Sequence, residues 1–200
     1  MRPTTKTTAI LIDGSNLHAS NVALGFTVDY HKLLHYFDGV VLKACYFTAL
    51  PPTTEQSTLR PMVDYLDYNG WTVFQKEWRE FTDSQGLRKV KGNMDVEIAV
   101  IAKELAPYVT HMVLFTGDGD FRFLVEALQR SHGIHVTVVS TRQSRPPMIA
   151  DILRRQADTF IDLVDMQPHI KRTTSTPVDE AHDPKIAARH KFSFGSKGGQ

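Results

Sequence analysis

The sequence predicts an α/β fold on a mainly parallel, doubly wound sheet. Two observations carry this: apolar runs that barely alternate, and helix-like segments lying between them. The runs are AILID at 9–13, VVLKACYFTAL at 40–50, MVLFTGD at 112–118 and IHVTVVS at 134–140. They are rich in Val, Ile, Leu and Phe, as strands covered on both faces require. Between them DYHKLLHYF at 29–37, TEQSTLRPMVDYLDYNG at 54–70, NMDVEIAVIAKELAPY at 93–108 and DFRFLVEALQRSHG at 120–133 read as helices. Such alternation implies an open sheet with helices on both faces.

Pro61 starts or kinks the second helix, since proline in a helix interior removes a hydrogen bond and clashes with the preceding turn. The stretch WTVFQKEWREFTDSQGLRKVKG at 71–92 reads as a strand, a DSQG turn and a basic return. After IDLVD the composition shifts to Thr, Ser, Pro, Lys and Gly, giving one domain over 1–167 and a flexible basic tail over 168–200.

Of the 200 residues, 42% are hydrophobic, enough for one core and too few for two domains. Residues 1–170 carry 17 Lys and Arg against 19 Asp and Glu, whereas 171–200 carry 6 against 3. The body is slightly acidic, unlike the broad basic surface of a dedicated duplex binder. Cys45 is the only cysteine, so no disulfide forms within the chain and a cysteine-based zinc site is not expected. No signal-peptide or membrane-length apolar run is present, and the expected location is a reducing cytoplasm.

The chemistry lies in acids at predicted strand ends. Asp13 closes the first strand in IDGSN and Asp118 closes VLFTGD, although 105 positions separate them. All strands of a parallel sheet end at one edge, where ligands bind. Asp95 is followed at +3, +4 and +7 by Ile98, Ala99 and Ala102, so it begins the inward stripe of a helix. Asp120 precedes a similar stripe, Phe121, Leu124, Val125 and Leu128, and adds a fourth carboxylate. Taken singly, Asp13 suits a turn, Asp95 suits a helix dipole and Asp120 suits an N-cap. Together they repel: two carboxylates about 5 Å apart oppose each other by roughly 3 kcal/mol at an effective dielectric near 20. A hard dication with oxygen ligands, Mg²⁺ or Mn²⁺, resolves this and suits phosphodiester hydrolysis.

Three ordered motifs, IDGSN at 12–16, KGNMDVEIAV at 91–100 and TGDGDF at 116–121, resemble the NYN domain in its bacterial LabA-like branch, within the PIN-like nuclease superfamily. LRRQADTFIDL at 153–163 is similar to that branch's closing segment, so the resemblance spans roughly 8–165. It implies a PIN-like three-layer sandwich and metal-dependent ribonuclease activity. It makes Asp13, Asp95 and Asp118 the metal-site acids, with Asp120 the second acid of its motif. It also implies that Asn16 orients a water or a phosphate, with Ser15 nearby, and that the Thr116 hydroxyl, where the family more usually has serine, holds the Asp118 loop or a nucleophilic water.

Arg88, Lys89 and Lys91 lead directly to Asp95, and Arg142 follows the last predicted strand at the same edge. With Trp78 and Phe81 they would grip single-stranded RNA through phosphate contacts and stacking, with DNA left open. Trp71, Phe74 and Trp78 equally suit plain packing. His31 and His35 lie four apart, but no third ligand is visible and a solvated helix face explains them better. A phosphatase would want DxD where the chain has DGSN, and a receiver domain would want an early acidic pair. The remaining alternative is a non-catalytic regulatory module that holds RNA or a protein partner, as a monomer or homodimer.

Overall fold

The segment TTAILID forms β1 (Thr7–Asp13), from which the sheet grows in both directions. Its side chains alternate, so Ala9 and Leu11 enter one core while Ile10 and Ile12 enter another, all at 0% exposure. The computed structural model describes residues 6–51, 59–82 and 88–173, with the backbone alone at 79–82 and 88–91.

The chain runs β1, α1 (Gly14–Leu24), α2 (Tyr30–Leu34), β2 (Val40–Leu50), α3 (Arg60–Tyr68), β3 (Thr72–Glu77), β4 (Arg79–Thr82) and β5 (Arg88–Lys91). It continues with α4 (Asp95–Leu105), β6 (His111–Phe115), α5 (Arg122–His132), β7 (His135–Ser140), α6 (Asp151–Gln156), β8 (Thr159–Asp162) and α7 (Leu163–Ile170). Six strands form one parallel sheet in the order β3-β2-β1-β6-β7-β8. One face packs Leu17 of α1, Leu33 of α2, Leu66 of α3 and Met166 of α7 against Ile10, Tyr46 and Val113. The other packs Ile98 of α4, Leu128 of α5 and Leu153 of α6 against Leu11, Phe47 and Val138. The expected three-layer α/β sandwich is present. Among the described residues, no helix is long and apolar enough to cross a membrane.

Several expected boundaries move. The strand expected over 112–118 stops at Phe115, and Asp118 instead caps a 3-10 turn at Gly119–Phe121. The helix expected over 29–37 ends at Leu34, after which Tyr36 and Phe37 meet edge to face. Pro61 lies in the first turn of α3, where its missing N–H costs nothing, so it starts the helix. The expected hairpin over 71–92 divides at Trp78: β3 joins the main sheet beside β2, while β4 and β5 pair separately as an antiparallel ribbon. The DSQG turn lies outside the described residues, as does everything after 173. α7 carries the fold three residues past the expected boundary at 167, with Ile170 fully buried and Lys171 bridged to Val28.

At the sheet edge opposite the acids, His111 is 4% exposed and held between two hydroxyls. Its Nδ1 lies 3.2 Å from Thr8 Oγ1 and its Nε2 lies 2.8 Å from Thr137 Oγ1. Burial, aided by the nearby Lys6 and His135, pushes its pKa down to about 4. A folded-state value below the unfolded value near 6.5 contributes stability above that pH, and the contribution is lost as pH falls from about 6.5 toward 4. The urea midpoint of the chain will therefore drop across this interval, and His111→Gln will flatten the drop; an unchanged slope in the variant would reject the assignment.

Candidate active site

The sheet order reverses between β1 and β6, because the chain leaves β1 toward β2 and β3, and leaves β6 toward β7 and β8. Crevices for ligands open at such a reversal, beyond the carboxyl ends of the strands. Asp13 is the last residue of β1 and is 8% exposed. Its Oδ1 accepts hydrogen bonds from the Ser15 N–H at 3.1 Å, the Asn16 N–H at 3.2 Å and the Ser15 hydroxyl at 2.7 Å. Asp13 is thus the N-cap of α1. A β-carbon on Gly14 would stand 2.7 Å from the Phe47 carbonyl oxygen and 2.8 Å from the Tyr46 ring. Glycine is what lets α1 begin this close to β2.

Thr116, 1% exposed, joins the two strand ends. Its hydroxyl donates to Asp13 Oδ2 at 3.4 Å and accepts from the Asp118 N–H at 3.2 Å. Asn16 adds a second tie, its Oδ1 accepting from the Gly117 N–H at 2.9 Å. Asp118 Oδ1 in turn accepts from the Asp120 N–H at 3.0 Å, and the Asp120 side chain stands exposed in the turn.

Asp95 opens α4 half-buried, with Ile98 and Ala102 behind it in the core as expected. Its Oδ2 accepts from Asn93 Nδ2 at 2.7 Å. Its carboxyl is held above the usual range by partial burial first, then by the charges of Asp118, Asp13 and Asp120 in that order, with Lys76 opposing. The four acids therefore share one field, and Lys76, the opposing cation among the described residues, is engaged elsewhere. Lys76 Nζ donates to Glu97 Oε1 at 2.8 Å and holds the Glu97 carboxyl below its ordinary range.

A dication would need these acids as ligands. Their oxygen-only chemistry fits a hard ion, and such an ion would offset the charges of Asp118, Asp13 and Asp120 that, after partial burial, hold the Asp95 carboxyl above its usual range. As the side chains lie, no three acid, histidine or cysteine groups among the described residues stand close enough together to hold an ion. The fold assembles the donors at one edge without closing the coordination.

The other expected residues fall differently. Ser15 turns its hydroxyl onto Asp13, so its present role is to hold that acid. Arg142 lies at the same sheet edge but farther along it, with its Nε 3.6 Å from buried Asp162 and its guanidinium 5.8 Å from the Phe160 ring centre. Arg88, Lys89 and Lys91 lie on β5, and their side chains are outside the described residues. His31 and His35 touch each other ring to ring on an exposed face. Sequence reasoning missed Asn93, Lys76 and Glu97. The first and last flank Asp95 by two positions and were visible as neighbours, whereas Lys76 arrives through strand pairing that no local pattern announces.

A parallel sheet with clustered carboxylates at its switch point defines a nuclease-like α/β domain. The chain belongs to the NYN domain family, whose model matches residues 7–165 and which is part of the PIN-like nuclease superfamily. It is 36% identical over 171 residues to the "Low amplitude and bright protein LabA" of Synechococcus elongatus, covering 82% of this chain and 88% of that protein. It is also similar to the crystal structure of a protein of unknown function from Vibrio parahaemolyticus, at 26% identity and a TM-score of 0.69, covering 86% of this chain and all of the other. The family carries a nuclease-like, RNA-related role.

A carboxyl whose folded-state pKa is raised contributes stability only below its unfolded value, near 3.9, and that contribution is lost as pH rises through the folded value. In metal-free protein at pH 7, Asp95→Asn will raise Tm by about 1 to 3 °C, a small gain because solvent screens the exposed part of the repulsion. The gain will shrink near pH 3.5. Thermal melts at the two pH values check this, and a variant that melts lower at pH 7 would refute the repulsion argument.

Proposed function

We propose that this protein is a metal-dependent ribonuclease that hydrolyses phosphodiester bonds of single-stranded RNA. The observation that carries the reading is the shared field of Asp13, Asp95, Asp118 and Asp120: partial burial first, and then the charges of the other three, hold the Asp95 carboxyl above its usual range. Membership of the NYN family supports it. The four acids would hold Mg²⁺ or Mn²⁺, which when bound supplies activation of a water and neutralisation of charge developing on the phosphodiester.

The chain's own residues position these acids. The Thr116 hydroxyl sets Asp13 and Asp118 relative to each other, and Asn16 fixes the Gly117 backbone beside them. Ser15 and the α1 backbone fix the orientation of Asp13. Asn93 does the same for Asp95, which has no cap to hold it. β5 feeds through Gly92 into α4, so Arg88, Lys89 and Lys91 approach the site along the chain and would meet RNA phosphates there. Arg142, engaged with Asp162, would serve phosphates farther along the edge. The buried single cysteine suits a reducing, cytoplasmic setting.

The test is cleavage of a labelled single-stranded RNA by wild type and Asp118→Asn, each with Mn²⁺, Mg²⁺ or EDTA. Cleavage will require the ion and will fall by on the order of 100-fold or more in the variant, the scale on which a lost electrostatic stabiliser acts. If both proteins are equally inactive on RNA and DNA while wild type still binds RNA or a partner, a non-catalytic regulatory module replaces the enzyme.

A further inference from the structure

Beside the acids opens a cavity of about 1060 Å³ between α1, the end of β2, α3 and Trp78. It is continuous with the acidic edge, because Asp13, Ser15 and Asn93 belong to its lining. Its walls are rich in rings and thioethers: Tyr46, Phe26, Tyr65, Trp78, Met62 and Met94. Tyr46 and Phe26 are buried, whereas Tyr65 is 47% exposed and Trp78 is half-buried, so faces of the latter two are open to a ligand.

Three features narrow the occupant. The lining includes two acids, Asp13 and Asp29, beside the basic Arg172 and an imidazole, His18, so the interior offers phosphates no cationic excess. The volume stands at the upper end of ligand pockets, about 300 to 1000 Å³, and would take more than one nucleobase-sized group. Asn21 also lines the wall, and its buried Oδ1 has no hydrogen-bond partner among the described residues, an acceptor left for an N–H donor. An apolar, aromatic, weakly charged recess that opens onto a phosphodiester site suits bases and not the backbone.

We infer that this cavity is a base-stacking subsite: unpaired bases of single-stranded RNA flanking the bond at Asp13 turn into it and stack on Trp78 and Tyr65. The inference rests on the RNA reading above and adds the part of the substrate that is recognised. The phosphates stay outside, at the acidic edge where Asp13 and Asn93 line the mouth. Base-paired RNA is excluded because its bases are not free to turn. Recognition is tolerant of sequence, since every base has a face to stack.

The experiment compares a ten-nucleotide oligouridine with an abasic ribose-phosphate chain of the same length and charge, by direct binding and by Mn²⁺-dependent cleavage. Proteins are wild type, Trp78→Ala, Tyr65→Ala and Tyr108→Ala, the last an exposed aromatic outside the cavity as a control. Circular dichroism confirms that each is folded. Wild type and Tyr108→Ala will prefer the RNA by about tenfold or more, and Trp78→Ala will lose most of that preference with binding of the abasic chain unchanged. Tyr65→Ala will lose part of it.

Equal binding of the two chains by wild type overturns the subsite, as does a preference that survives both substitutions. The two readings fail separately. Cleavage without base preference removes the subsite and leaves the nuclease; base preference without any cleavage removes the nuclease and leaves the subsite.

Discussion

Everything at the functional edge depends on one constraint: four like-charged side chains share one electrostatic field where the sheet reverses, and the described residues supply them with little opposing charge. Among the described residues, Lys76 is the cation that moderates the field on Asp95, and it is hydrogen-bonded to Glu97. A protein selected only for stability would not keep this arrangement, because each carboxylate added to the group raises the cost of ionising the others. Two complete cores, one on each sheet face, supply the stability that lets the edge remain strained electrostatically.

The acids are held largely by main chain. Asp13 caps α1 and Asp118 caps the turn that precedes α5, each through its Oδ1. Capping is usually read as a structural role that competes with chemistry. Here the two are compatible, since a carboxylate has two oxygens and the cap occupies one. The backbone fixes the orientation, and Oδ2 is left for other contacts; for Asp13 among the described residues that is the long one from Thr116. Asp95 differs, because its N-terminal place on α4 provides no cap and a side chain, Asn93, does the holding. Of the three best-placed acids it is thus the least fixed by backbone, and partial burial followed by the neighbouring carboxylates holds its carboxyl above the usual range.

Much of this was legible in the sequence for a physical reason. Strands buried on both faces must be apolar throughout, so AILID and HMVLF stand out and place Asp13 and Asp118 without any structure. α1 was not legible. Its buried positions are Gly14, Leu17 and Ser20, two of them too small to mark an amphipathic stripe, and its capping residue was already explained as a site acid. β8 is only four residues long, below the length at which a pattern can be recognised, and it draws its place from pairing with β7. The division of 71–92 at Trp78 was hidden for the same reason: β3 and β4 are nearly continuous in sequence, and only their partners distinguish them.

The balance of charge along the chain becomes intelligible once edge and cavity are considered together. Through residue 170 the chain has 17 basic and 19 acidic side chains, a poor surface for holding a polyanion by charge alone. Long-range attraction would in any case be opposed at the acids, where repulsion of phosphate is strongest until a dication is present. Stacking carries no such conflict, because it acts on the uncharged part of the nucleotide and weakens little with salt. On the proposed reading, aromatic walls adjoining Asp13 would supply affinity that does not compete with the electrostatics needed for hydrolysis. Charge would then select where the bond is cut, and apolar surface would hold the strand.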